Sequence, residues 1–133
     1  MKTGLLLITH GNLGQCMLDT VTVIMGQCPL QVRTMTVEGD CNPDEKFVQA
    51  RDACTELDQG VGVLVLTDLY GSTPSNIATR LLESHNVLAV SGINVPMLLR
   101  ILNYPDVSLD KLANIAIDGA HNGVVISSRK QAS

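Results

Sequence analysis

The stretch Val61–Asp68, "VGVLVLTD", limits the fold more than any other part of the chain, because it is apolar at every position up to a closing threonine and aspartate. A strand with one wet face alternates apolar and polar residues, whereas a run like this one belongs to a strand covered on both faces, as in the centre of a parallel sheet. Parallel strands cannot be joined by a hairpin and need a long crossover, usually a helix. The rest of the chain should therefore alternate short apolar runs with longer segments of helical period.

It does. "GLLLIT" reads as a first strand, and Leu13, Cys16, Met17, Val21 and Ile24 then recur at helical spacing as far as Gly26. "VRTMTV" at 32–37 is a second strand. "NPDE" opens the next helix, with Asn42 as N-cap, Pro43 at the first helical position and Glu45 placed to close a capping box. Phe47, Ala50, Cys54 and Leu57 form its inner face. After Asp68 and the turn "LYGS", Thr73 as N-cap and Pro74 start the helix "SNIATRLLES". "NVLAVSGI" is a fourth strand, "PMLLRILNY" a short helix, and "SLDKLANIAIDGA" a last helix capped by Ser108, with "GVVIS" at 123–127 as a fifth strand. This rhythm predicts an α/β fold, three-layer α/β/α about a mostly parallel sheet.

A length of 133 residues fits one domain spanning 1–133. With 45% hydrophobic and 17% charged residues the chain is too apolar to be disordered. Aromatics at 2% leave almost no stacking platform for bases, and a net charge of −4 with no Lys/Arg cluster ahead of the tail argues against nucleic acid. No apolar run reaches the ~20 residues that span a bilayer, and no basic segment followed by a long apolar one stands at the N-terminus, so a cytoplasmic protein is expected. Cys16, Cys28, Cys41 and Cys54 contain no CxxC pair, and reduced structural thiols are expected of them.

The first strand ends on His10–Gly11 and the third on Asp68. In an open parallel sheet, ligands bind beyond the carboxyl ends of the strands, where the chain order reverses. If these two strands are neighbours, the carboxylate can hold one ring nitrogen and leave the other as an oriented nucleophile. The plain alternative is a histidine bonded to backbone and an aspartate that begins a turn. The segment "GSTPSN", from Gly71 through Ser72, Thr73 and Ser75 to Asn76, adds a flexible glycine, hydroxyls and a helix N-terminus, a combination suited to an anion. Without lysine it is no triphosphate-binding loop, and alone it is equally a simple capped turn. Together the three elements suggest a histidine that carries phosphate. His85 reads as a partner for a helix C-terminus, His121 in "AHNG" as a turn residue, and Tyr70 either as a wall of the pocket or as an exposed turn aromatic.

"LLITHG", "VLVLTDLYGSTPSN" and "VSGINVPMLL", in that order, resemble the IIA domain of the mannose family of the bacterial sugar phosphotransferase system. The resemblance implies that His10 accepts a phosphoryl group from the phosphocarrier protein HPr and passes it to a IIB domain. It implies that Asp68 is the acidic partner of that histidine, that Thr73 is the hydroxyl residue before proline, and that Asn76 and the "GINVP" segment line the pocket. It also implies a homodimer whose subunits exchange a C-terminal antiparallel strand, here 123–127. An open sheet edge and a terminal apolar strand in so small a domain favour the same exchange. The chain ends soon after that strand, so the IIB partner is expected to be a separate protein, and contact with a membrane transporter to be peripheral at most. The chemistry calls for no metal and no cofactor. Two alternatives share the His10 step: a regulatory protein whose phosphorylation state controls a partner, and a phosphotransfer subunit of a dihydroxyacetone kinase.

Overall fold

The computed structural model describes residues 1–129. Among them the strands are β1 (Gly4–His10), β2 (Val32–Val37), β3 (Val63–Thr67) and β4 (Val87–Ser91), and the helices are α1 (Leu13–Met25), α2 (Pro43–Leu57), α3 (Thr73–Leu81), α4 (Val95–Leu102) and α5 (Leu109–Asn122). The four strands form one all-parallel sheet in the order β2-β1-β3-β4. The chain runs outward from β1 to β2 and then crosses back to β3 on the other side, so the order reverses between β1 and β3.

Side chains of a strand alternate between faces, and in the two central strands both faces are filled. Leu5, Leu7, Leu64 and Leu66 join one core with Val21 of α1, Met97, Leu98 and Ile101 of α4, and Leu112 and Ala116 of α5. Leu6, Ile8, Val63 and Val65 join the other with Ala50, Ala53 and Cys54 of α2 and Ile77, Ala78 and Leu81 of α3. Three layers follow directly from apolar runs that alternation cannot split into a dry and a wet face. Burial pushes the Cys54 thiol up to about 11, helped by the nearby charge of Asp58. No helix of the described residues is long and apolar enough to cross a membrane.

The helix ends follow local chemistry. Asn42 Oδ1 accepts from the amides of Asp44 (2.9 Å) and Glu45 (3.4 Å), Asn94 Oδ1 from Met97, and Ser108 Oγ from Lys111. The Asn42 side chain thus caps α2, while no bond from the Glu45 carboxylate closes a box among the described residues. α1 ends on Gly26 in the left-handed conformation, with φ +79. Within its β-branched run, which is helical, Thr20 and Thr22 return their hydroxyls to the carbonyls of Cys16 and Leu18.

Three expectations need correction. Ser72, not Thr73, is the N-cap of α3, and Thr73 is its first helical residue. α1 packs through Gly14 and Val21, while Leu13, Cys16 and Ile24 are exposed, because the glycine lets the helix approach β1 on that side. His121 lies in the last turn of α5 rather than in a loop, since the helical hydrogen bonding runs on to Gly123. Residues 123–127 pair with no strand among the described residues of the single chain: Gly123 ends α5, and Val124, Val125 and Ile126 stand 72–79% exposed. A strand exists only by pairing, and within the single chain β4 remains an edge.

The tightest backbone approach is at the start of β1, where a Cβ on Gly4 would sit 2.7 Å from the Leu57 carbonyl oxygen. Gly4→Ala must push α2 off the sheet and is expected to cost about 1–3 kcal/mol, the usual range for overpacking. Chemical denaturation measures this; wild-type stability in the variant would show that the β1–α2 contact yields freely.

Candidate functional site

β1 and β3 pair with Leu7 opposite Leu66 and Ile8 opposite Thr67, which carries His10 and Asp68 off the carboxyl end of the sheet side by side, at the reversal of strand order. They meet. His10 Nδ1 lies 2.8 Å from Asp68 Oδ2, and the His10 backbone amide donates to the same oxygen at 3.0 Å. The histidine side chain is 51% exposed and the aspartate side chain 11%. With the carboxylate as acceptor, Nδ1 carries the proton, and Nε2 keeps its lone pair on the half-exposed side of the ring. The sequence-based pairing of these two residues thus holds in space.

Burial pushes the Asp68 carboxyl up, but the amide and ring hydrogen bonds from His10 and the attraction of its positive charge outweigh that, leaving the group below its ordinary value. Its other oxygen, Oδ1, is buried with no hydrogen-bond partner among the described residues. All of the fixed geometry runs through Oδ2.

Gly11, at φ +50, turns the chain out of β1, and its amide donates to the Val37 carbonyl at 3.3 Å. Beyond β3 the turn 69–72 closes through Ser72 N to Leu69 O, with Gly71 at φ +82, and the Ser72 hydroxyl donates to that same carbonyl. Ser72 therefore caps no amide of α3, although it occupies the N-cap position. The first amides of a helix have no intrahelical acceptor, so α3, which begins five residues after Asp68, starts with the Thr73 and Ser75 amides unspent, Pro74 having none and Asn76 bonding the Ser72 carbonyl, and with the Thr73 hydroxyl on its first residue. Asn76 is exposed. Ser75 is 5% exposed and lines, with Tyr70, Ser91, Ile117 and His121, a cavity of about 540 Å³ along the open edge of β4. Tyr70 itself is 85% exposed. His85 lies beyond α3 with its Nε2 toward Thr55 Oγ1, at 3.4 Å.

Two residues that the sequence reading passed over complete the strand ends. Thr9 and Thr67, each just before a member of the pair, are buried at 1% and 0%. Thr9 Oγ1 accepts the Gly14 amide at 2.9 Å, and Thr67 shares a 2.7 Å hydrogen bond with Ser91 Oγ. The signal was a polar residue closing each apolar run, one position before the titratable one.

Because the folded-state pKa of Asp68 is lowered, its contribution to stability is complete above the ordinary carboxylate value of about 3.9 and is lost as pH falls through the folded value. The stability gap between wild type and Asp68→Asn should therefore shrink as pH falls from neutral to about 2. Thermal unfolding across that range measures it, and a constant gap contradicts the coupling.

Comparison with known proteins bears on the family and the fold. Residues 4–115 match the EIIA-man family, described as "PTS system fructose IIA component". The chain is 28% identical over 127 residues to the PTS system mannose-specific EIIAB component of Escherichia coli (strain K12), covering 93% of this chain and 39% of that protein. It is similar to the solved mannose/sorbose specific IIA subunit of the phosphotransferase system from Enterococcus faecalis, with a TM-score of 0.85, 23% identity and 96% of each chain covered, a likeness of fold. It is also similar to the PTS IIA protein associated with the fucose utilization operon of Streptococcus pneumoniae, with a TM-score of 0.76 and 28% identity over 100% of this chain and 98% of that one. The chain thus spans about two fifths of the length of the curated relatives it matches.

Proposed function

As the chain belongs to the EIIA-man family of the phosphotransferase system, we propose that it is a cytoplasmic phosphoryl carrier of sugar uptake, with His10 as the residue that is phosphorylated. The observation that carries this reading is the bond from His10 Nδ1 to Asp68, which leaves Nε2 as an oriented lone pair on an exposed ring. In the forward step Nε2 attacks the phosphorus of phospho-HPr: a new N–P bond forms at His10, the donor's N–P bond breaks, and the electron pair returns to the donor ring. A IIB component then takes the group by the same exchange. Asp68 keeps the Nδ1 proton in place and balances positive charge on the ring. Thr73 and the uncapped amides of α3 receive the phosphoryl oxygens, with Gly11, Gly71, Ser72, Ser75 and Asn76 shaping the surroundings. Neutral donors suit a group that must be released, where an arginine clamp would hold it.

Incubation with phosphoenolpyruvate, enzyme I and HPr should add one phosphoryl group, seen by intact mass. His10→Gln should abolish the gain and leave the fold intact; uptake at the wild-type rate in that variant places the carrier elsewhere. Asp68→Asn should slow the transfer by a factor on the order of 10².

The same reading includes a homodimer. Val124, Val125 and Ile126 expose apolar surface, and β4 is an open edge whose cavity is lined in part by Leu82, Ala89, Val90 and Ile117. Exchange of residues 123–127 between two copies covers both. Sedimentation should give a dimer at micromolar concentration, and truncation after Asn122 should destabilise the protein strongly; a monomer of the intact chain contradicts the exchange.

A further inference from the structure

His10 makes two bonds to one oxygen, through its ring and through its amide, so its backbone and its side-chain rotamer must both be held. The strand holds it from one side only. On the other side Gly11 turns at positive φ and leads into α1, whose N-cap Asn12 makes no side-chain capping bond. The start of α1 is held instead from the strand, where Thr9 Oγ1 accepts the amide of Gly14, the second residue of the helix, at 2.9 Å in a buried contact. Gly14 permits the approach, since a Cβ there would lie 3.2 Å from Thr9 Oγ1 and Cγ2 and 3.3 Å from Leu7 Cβ. The bond closes a loop of four residues, His10 to Leu13, and the first of these is the one that must be aimed.

We propose that Thr9 is a positioning residue for His10: its hydroxyl, by fastening the first turn of α1 to the end of β1, fixes the His10 backbone so that amide and ring converge on Asp68 Oδ2 and Nε2 faces outward. A side chain held this way by supporting bonds keeps its reactive geometry, and displacement by even 1 Å can cost up to about 10²-fold in rate. The proposal rests on the carrier reading for its rate measurement and not for its spectroscopic one.

Thr9→Val keeps the shape and removes the acceptor; Thr9→Ser keeps the acceptor. The imidazole nitrogens of His10, assigned by comparison with His10→Gln and observed by 1H–15N NMR at mildly alkaline pH, should report a single Nδ1–H tautomer in wild type and Thr9→Ser. Thr9→Val should show a mixture of tautomers, fast exchange of the Gly14 amide, and phosphoryl uptake from phospho-HPr slowed on the order of tenfold. A purely structural threonine would lower the melting temperature and leave the tautomer unchanged. That result, with the Gly14 amide exposed and the tautomer intact, overturns the proposal. If wild type takes up no phosphate, the carrier reading fails and the tautomer comparison alone decides the role of Thr9. If Thr9→Val does not fold, Gly14→Ala, which pushes the helix off Thr9, is judged by the same tautomer measurement.

Discussion

The parallel pairing of β1 with β3 is the constraint on which the site depends. Neither His10 nor Asp68 could meet the other from its own crossover unit; they meet because two strands distant in sequence lie in register, with Ile8 opposite Thr67, and end together. That pairing in turn requires both strands to be apolar on both faces, so that helices can cover each side. The core and the site are therefore set by the same residues. "LLLI" and "VLVL" build the two hydrophobic layers, and the polar residues that close them fall where the sheet stops needing apolar side chains.

Beyond that point two helices begin with their capping left incomplete, and each case has a local cause. At α1 the Asn12 side chain makes no cap and Thr9 substitutes for it from the strand. At α3 the Ser72 hydroxyl turns back to Leu69, leaving the helix start free of side-chain acceptors. A helix that capped itself would spend its first donors on its own side chain; α3 leaves them unspent just beyond the end of β3. The cost of an uncapped terminus, typically about 1 kcal/mol, is small against the burial of the layers behind it.

The two-sided apolar runs made the sheet, the crossover helices and the convergence of His10 with Asp68 legible in the sequence, because side-chain period and strand-end position are local properties. Caps were legible where a side chain bonds its own helix, as at Asn42 and Ser108. They were misread by one residue at Thr73, where the serine before it has the N-cap conformation without the N-cap bond. The inner face of α1 was misjudged for a related reason: periodicity ranks Leu13 and Ile24 above Gly14, while packing against β1 selects the residue with no side chain. Thr9 and Thr67 were passed over because a threonine at the end of an apolar strand reads as β-propensity until its hydroxyl is seen to have a partner. The terminal "GVVIS" shows the limit of such reading, since its β-branched apolar run has the composition of a strand and yet pairs with no strand among the described residues.

The central claim is that Asp68 reserves Nδ1 of His10 and leaves Nε2 to react. The most direct test is a long-range 1H–15N spectrum of the phosphorylated protein, in which coupling to phosphorus identifies the bonded nitrogen. The account predicts phosphorus on Nε2 of His10 with Nδ1 still protonated toward Asp68; phosphorus on Nδ1, or on any other residue, would contradict it.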